Sequence, residues 1–238
     1  MLNSSIFLPV IIIAGIAYSI LAKKLTILAA LTGGTLACLI YIAAGYTGVA
    51  MMSLFFIMGS VATSWQKHKK QSFATIAETK NGRSVLQVLA NAGAAGLAAI
   101  VILFYPSFTY LMLPAMAAAF ASATADTLSS ELGMVYGKRF FNIISFQPDR
   151  CGMDGVISLE GTVIGIGGSC IIAAIYALGY GWNINFCFIV IAGTVGNLTD
   201  SILGAVLERK EIIGNNMVNF LNTLTAVLVM LILEIIFI

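Results

Sequence analysis

The sequence predicts an all-α, polytopic bundle of transmembrane helices, and three observations carry that expectation. Hydrophobic residues make up 60% of the 238-residue chain and charged residues only 9%, where a water-facing domain carries roughly 25% charged residues. Apolar stretches of about 18–22 residues recur along the whole length, each long enough to cross the ~30 Å hydrocarbon layer as a helix. All twelve Lys and Arg fall in four connections between those stretches. A soluble domain, a disordered chain and a disulfide scaffold are excluded by the same figures. A net charge of +2 also leaves no basic footprint for a nucleic acid.

Taken in order, about eight spans cover roughly 5–22, 25–45, 47–64, 85–105, 109–132, 157–179, 184–207 and 217–238. The first has no Lys or Arg in residues 1–5 and no small-residue cleavage site after it, so it reads as a retained helix. The basic connections hold Lys23 and Lys24; Lys67, Lys69, Lys70, Lys80 and Arg83; Lys138, Arg139 and Arg150; and Arg209 and Lys210. Eight crossings put all four on one side, while the opposite connections near 45–47, 105–108 and 179–183 carry no Lys or Arg. Positive-inside logic then sets the basic loops in the cytoplasm and both termini outside, with a bacterial inner membrane as the expected location. The chain reads as a single membrane domain, 1–238. Within it, 1–66 are N-terminal scaffold helices, 67–225 carry the motifs and 226–238 end the last helix.

Polar residues inside spans are costly and mark sites, and here they crowd the cytoplasmic ends of the last five helices. In GNLTDSILGAVLER, Asn197, Asp200, Ser201, Gly204 and Glu208 share one helical stripe. In MDGVISLEGTVIGIGGS, Asp154, Ser158, Gly161, Thr162, Gly165 and Ser169 share another, and Gly161 and Gly165 also form a GxxxG packing motif. ASATADTLSSELG sets Ser122, Asp126, Ser129 and Ser130 on one face, with Glu131 about 140° from Asp126. Arg83, Gln87 and Asn91 recur at intervals of four in ETKNGRSVLQVLANAG, and Asn215, Asn219 and Asn222 line the start of the last helix. Single asparagines and small residues serve equally well as interhelical packing, but packing does not call for the acids. His68, alone of its kind and flanked by lysines, reads as a solvated loop residue, and the four cysteines form no CxxC pair. Glu234 lies toward the outer end, where snorkelling is the expectation.

Carboxylates with amide and hydroxyl oxygens suit a hard cation such as Mg²⁺, and neighbouring Lys and Arg suit phosphate oxygens. Phosphoryl and nucleotidyl transfer need positioning and charge neutralisation above all, and this cluster offers both. No GxxxxGK[ST] loop is present, so a Walker-type site is excluded. A transporter would carry its binding groups near the midplane, often on internal repeats, and no convincing repeat relates the two halves.

The four motifs, in this order, resemble an integral-membrane family that includes plant phytyl-phosphate kinase. The likeness covers most of residues 67–225, while 1–66 match mainly in hydropathy. The family is similar in turn to dolichol and phytol kinases and, more distantly, to CDP-diacylglycerol synthase. ADTLSSELGMVYGKR followed by SLEGT is similar to their Asp-Thr, Gly-Lys and Glu-Gly pattern. GNLTDS resembles the Gly-Asp-Leu stretch of the cytidylyltransferases, with Asn197 where those carry Asp and without their His-Gly-Gly tail.

The resemblance implies a CTP-dependent membrane kinase that phosphorylates an isoprenyl monophosphate of the phytyl or geranylgeranyl type to the diphosphate. It implies Asp126 and Asp200 as ligands of Mg²⁺ (or Mn²⁺), with Glu131 and Asp154 as further catalytic acids. Lys80, Arg83, Lys138 and Arg139 would hold phosphates. Asn81, Gln87, Asn91, Ser158, Asn197, Ser201, Asn215 and Asn219 would position nucleotide or acceptor. The expected partners are the bilayer and the isoprenyl phosphate, with no nucleic acid; the oligomeric state is left open. The alternatives are a cytidylyltransferase making a CDP-lipid, and a transporter or lipid flippase using the same acids.

Overall fold

The computed structural model describes residues 4–71 and 82–237, and it is a helix bundle. The helices are α1 (Ser4–Leu21), α2 (Ile27–Ser64), the short α3 (Lys67–Gln71), α4 (Val85–Phe104), α5 (Thr109–Tyr136), α6 (Leu159–Tyr180), α7 (Asn185–Leu203) and α8 (Asn215–Phe237). Between α5 and α6 two short strands, β1 (Phe141–Asn142) and β2 (Val156–Ile157), pair antiparallel with Phe141 opposite Ile157. That ribbon is the one sheet among the described residues.

Among the described residues, six helices are long and apolar enough to cross a membrane, and α1 is a shorter apolar helix. The longest, α2, has 38 residues, which laid straight would extend about 57 Å, nearly twice the hydrocarbon thickness. It does not run straight. Gly45 leaves helical geometry at φ 59° and ψ −156°, a conformation that glycine adopts without steric penalty. The arms 27–44 and 46–64 then fold back on one another, so that Lys24 Nζ, just before the helix, donates to Ser64 Oγ at its far end (2.6 Å). The eight expected segments thus correspond to α1, the two arms of α2, and α4 to α8.

At the centre stands α5, which packs against α2, α4, α6, α7 and α8. Every residue from 114 to 125 is buried, seven of them alanine. A helix enclosed on all sides must be slender, because small side chains let five neighbouring backbones approach it. The α5–α6 seam shows the consequence: a Cβ on Gly161 would sit 2.7 Å from Ser129 O, and one on Gly165 would sit 3.0 Å from Ala125 O. The GxxxG pair therefore serves close packing.

Two ends can be told apart. At one, Tyr180 Oη donates to Ala44 O (2.6 Å) beside the Gly45 turn. At the other lie Lys23, Lys24, Lys67, Lys70 and Arg83 together with the intramembrane acids. Glu234 belongs to the first end but does not snorkel. It is 3% exposed and turns into the bundle beside Asn185 and Tyr176.

The ribbon segment closes over the second end and is clasped to it. Arg209 donates through Nη1 to Asp149 Oδ2 (2.8 Å) and through Nη2 to Asp154 O (2.6 Å). Gly155, at φ +73°, lies against the π-helical turn Gly204–Glu208 that ends α7, and a Cβ there would be 2.3 Å from that of Ala205. Gly155→Ala is therefore expected to destabilise the clasp by about 2 kcal/mol. Faster trypsin cleavage at Arg150, read by limited proteolysis, would report it.

Candidate active site

A single glycine contact explains how two acids from different helices meet. Where α7 crosses α5, a Cβ on Gly196 would lie 2.1 Å from Ser122 Oγ and 2.8 Å from Asn222 O. Residues four positions on share those helix faces, and they are Asp200 on α7 and Asp126 on α5. Their carboxyl groups are in hydrogen-bonding contact. From α8, the fully buried Asn222 fixes one of them: its Nδ2 donates to Asp200 Oδ1 (2.7 Å), and its Oδ1 accepts from Ser122 Oγ (3.1 Å). A chain of hydrogen bonds thus holds the pair from beneath, leaving its upper side to a cavity.

That cavity measures about 980 Å³ and has two walls of opposite charge. Helices α5 and α7 and the ribbon segment bring Asp126, Asp200, Glu208 and Asp154; the ends of α1 to α4 bring Lys23, Lys24, Lys67, Lys70 and Arg83. Main-chain pairing sets the basic wall in place. Arg83 N donates to Lys24 O (2.9 Å) and Thr26 N donates to Arg83 O (3.1 Å), joining the start of α4 to the start of α2. Gly82, at φ +84°, allows the approach, since a Cβ would meet Lys24 C at 2.7 Å. At the mouth, the Arg209 hydrogen bond holds the Asp149 carboxyl below the usual carboxylate range. Partial burial pushes Asp154 above that range, with Arg209 opposing.

Twelve of the sixteen residues read from the sequence as site residues line this cavity: Arg83, Gln87, Asn91, Asp126, Glu131, Asp154, Ser158, Asn197, Asp200, Ser201, Asn215 and Asn219. Lys80 and Asn81 lie outside the described residues. Lys138 and Arg139 are exposed and do not line the cavity; they follow the end of α5 at Tyr136. Several polar side chains also have local work. Gln87 Oε1 accepts from Ser84 N (2.8 Å) in the capping box of α4, and Ser158 Oγ caps α6 by accepting from Gly161 N (3.1 Å). Asn197 Oδ1 accepts from Ser129 Oγ (2.9 Å), and Asn215 Oδ1 accepts from Asn219 Nδ2 (3.1 Å).

Lys23 and Lys24, in the stretch 1–66 read as scaffold, and Lys67 and Lys70, at the start of the motif-bearing region, are missing from the sequence-derived set. A signal for them existed. The two spans read on either side of Gly45 already form a hairpin, and a hairpin brings the lysines flanking it together.

Lys70 sits on the seam between the walls. Its ammonium pairs with Glu131 and donates to Ala62 O (2.9 Å) and Thr63 O (2.8 Å). The Glu131 carboxylate is thus engaged by a lysine, on a different side of α5 from the acid pair. Removing one partner of a buried pair strands the other. Lys70→Met is expected to cost about 3 kcal/mol, and Lys70→Met/Glu131→Leu to recover most of it, as thermal unfolding in detergent would show.

Membrane-crossing helices around a two-signed polar cavity at one face define a polytopic integral membrane protein. The chain belongs to the DUF92 family of integral membrane proteins, whose model matches residues 10–227. It is 34% identical over 181 residues to the uncharacterized membrane protein MJ0933 of Methanocaldococcus jannaschii, covering 76% of this chain and 73% of that one. To the uncharacterized membrane protein sll0875 of Synechocystis it is 33% identical over 195 residues, 79% of this chain and 74% of that one. To the chloroplastic protein VTE6 of Arabidopsis thaliana it is 29% identical over 186 residues, 75% of this chain and 56% of the plant protein. No solved structure matches the chain. The family resemblance drawn from the four motifs is borne out by these matches.

Proposed function

We propose that the protein is a phosphotransferase that moves the γ-phosphoryl group of a nucleoside triphosphate, CTP by resemblance, onto an isoprenyl monophosphate. A phosphate oxygen of the acceptor attacks the γ-phosphorus, the bond to the β-phosphate oxygen breaks, and the products are an isoprenyl diphosphate and CDP. The observation that carries this reading is the pair Asp126 and Asp200 facing a basic wall across one cavity. Such an arrangement suits a polyphosphate held by cations on one side and by a metal ion on the other.

Asp126 and Asp200 fit Mg²⁺ or Mn²⁺. They are hard oxygen donors in contact with each other, and two carboxylates so placed favour a cation between them. A metal ion bound there would neutralise charge on the transferring phosphoryl group. The chain's own residues supply the rest. Asn222 holds Asp200 in orientation, Lys24, Lys67 and Arg83 offer charge to phosphate oxygens, and the amides of Asn91, Asn197 and Asn219 present polar edges to the nucleotide or acceptor. An acceptor phosphate is already ionised at neutral pH, so the attack needs no general base. That agrees with a cavity lined by no histidine among the described residues. By the positive-inside rule this face is cytoplasmic, where nucleotides are available.

The test is a product analysis. Purified protein in nanodiscs receives Mg²⁺, labelled CTP and phytyl or geranylgeranyl phosphate. CDP with a lipid diphosphate supports the proposal. Pyrophosphate with a CDP-lipid would replace it by nucleotidyl transfer, and no product across nucleotides and chain lengths would overturn it.

A further inference from the structure

On the membrane-facing side of the bundle, a second hollow of about 440 Å³ runs between the first arm of α2, α4 and α8. Its lining is almost wholly apolar, from Leu36 on α2 through Leu89 and Leu97 on α4 to Met217 and Phe220 on α8. Along α4 it extends from Leu86 to Ile100, about 21 Å at 1.5 Å per residue. The groove exists because α4 carries no side chain at Gly93 and Gly96. A Cβ on Gly93 would touch the Phe220 ring at 3.5 Å, and one on Gly96 would meet Leu36 Cδ2 at 2.9 Å.

The groove and the charged cavity share two helices. On α4, Gln87 and Asn91 turn to the cavity while Leu86 and Leu89 turn to the groove. On α8, Asn215 and Asn219 line the cavity while Asn216 and Phe220 line the groove. Both helices begin at the cavity end, at Val85 and Asn215, so the polar and apolar spaces lie back to back across one seam and adjoin at its first turn. Adjacent residues in sequence thus line a polar space on one side and an apolar one on the other.

We propose that this groove holds the hydrocarbon chain of the acceptor, a single-chain isoprenyl phosphate whose head enters the cavity between the N-terminal turns of α4 and α8. The proposal rests on the phosphotransfer reading above. One groove accommodates one chain, which favours an isoprenyl ester over a diacyl phosphate. Because the bilayer is as apolar as the groove, seating the chain there adds little transfer energy. What it supplies is alignment, which brings the phosphate repeatedly to the acid pair. Chain length and branching are therefore sensed at the groove and not in the cavity.

The experiment uses the full chain in nanodiscs with geranylgeranyl phosphate carrying a diazirine at the far end of its chain. Photolabelling is expected on α4 and α8 residues of the groove and to fall at least tenfold in Gly93→Leu, which fills the floor. The same variant is expected to raise KM for the twenty-carbon phosphate at least tenfold while leaving turnover of a five-carbon isoprenyl phosphate unchanged. Labels confined to other helices, or equal losses for both acceptors, would overturn the groove assignment. Displacement of the label by phosphatidic acid as readily as by unlabelled isoprenyl phosphate would overturn the single-chain assignment. Groove labelling without turnover of any acceptor would leave the groove standing and overturn the phosphotransfer reading instead.

Discussion

Asp126→Asn and Asp200→Asn are each expected to lower kcat by about a thousandfold or more while leaving the protein folded. The magnitude follows from the site's reliance on charge: removing one preorganised electrostatic group from a transition state costs about 10²–10³ in rate, and here the same group would also hold the metal. The accompanying change in stability runs in the other direction. Without added metal the two carboxyl groups are in hydrogen-bonding contact, and a neutral isostere of the same shape keeps that contact with one buried acid fewer, so it is expected to hold or raise Tm. Added Mg²⁺ is expected to stabilise the wild type, by about 2.7 kcal/mol at a hundredfold excess over its Kd, and to leave both variants unmoved. Thermal unfolding with and without Mg²⁺, beside the product assay, checks both halves. Near-normal turnover in both variants would remove the metal assignment.

The second large effect is expected at a residue that touches no ligand. In Gly196→Val the new side chain meets Ser122 and the Asn222 carbonyl within 2.1–2.8 Å of its Cβ, so α5 and α7 must part. Overpacking of this kind costs about 1–3 kcal/mol. Because Asp126 and Asp200 lie one turn above the contact, even about 1 Å of separation is expected to reduce turnover a hundredfold. Ser122→Gly removes the closest obstacle and is expected to restore part of the activity to the milder Gly196→Ala, which an assay of the double variant would show. If Gly196→Val retains full activity, the crossing does not set the acid pair.

The bundle was legible in the sequence because bilayer thickness dictates span length, so the apolar runs had to be helices of about that length. The acid stripe on α7 was legible for a related reason. Asn197, Asp200, Ser201, Gly204 and Glu208 recur at helical spacing, and all five line the cavity. Partnership between helices was not legible. Periodicity tells which face Asp126 occupies, but not that Gly196 allows α7 within reach of it. The loops were harder still. Lys138 and Arg139 end a motif and yet do not line the cavity, whereas Lys24 and Lys70, in no motif, complete the basic wall on either side of the hairpin that turns at Gly45. Side-chain roles were hidden where two were compatible: Gln87 and Ser158 line the cavity and also cap helices.

The alanine-rich centre of the bundle bears on how the protein is made. Of the six membrane-length helices, α5 is the least hydrophobic and the most enclosed. Its slenderness suits it to protein neighbours and gives it little to offer lipid. As the chain emerges, α5 enters the bilayer before three of the helices that surround it have been synthesised. Its retention in the membrane therefore depends on α6, α7 and α8 arriving to enclose it. A chain cut short after Tyr136 would strand its most enclosed helix in the wrong solvent, which couples completion of the cavity to completion of biogenesis.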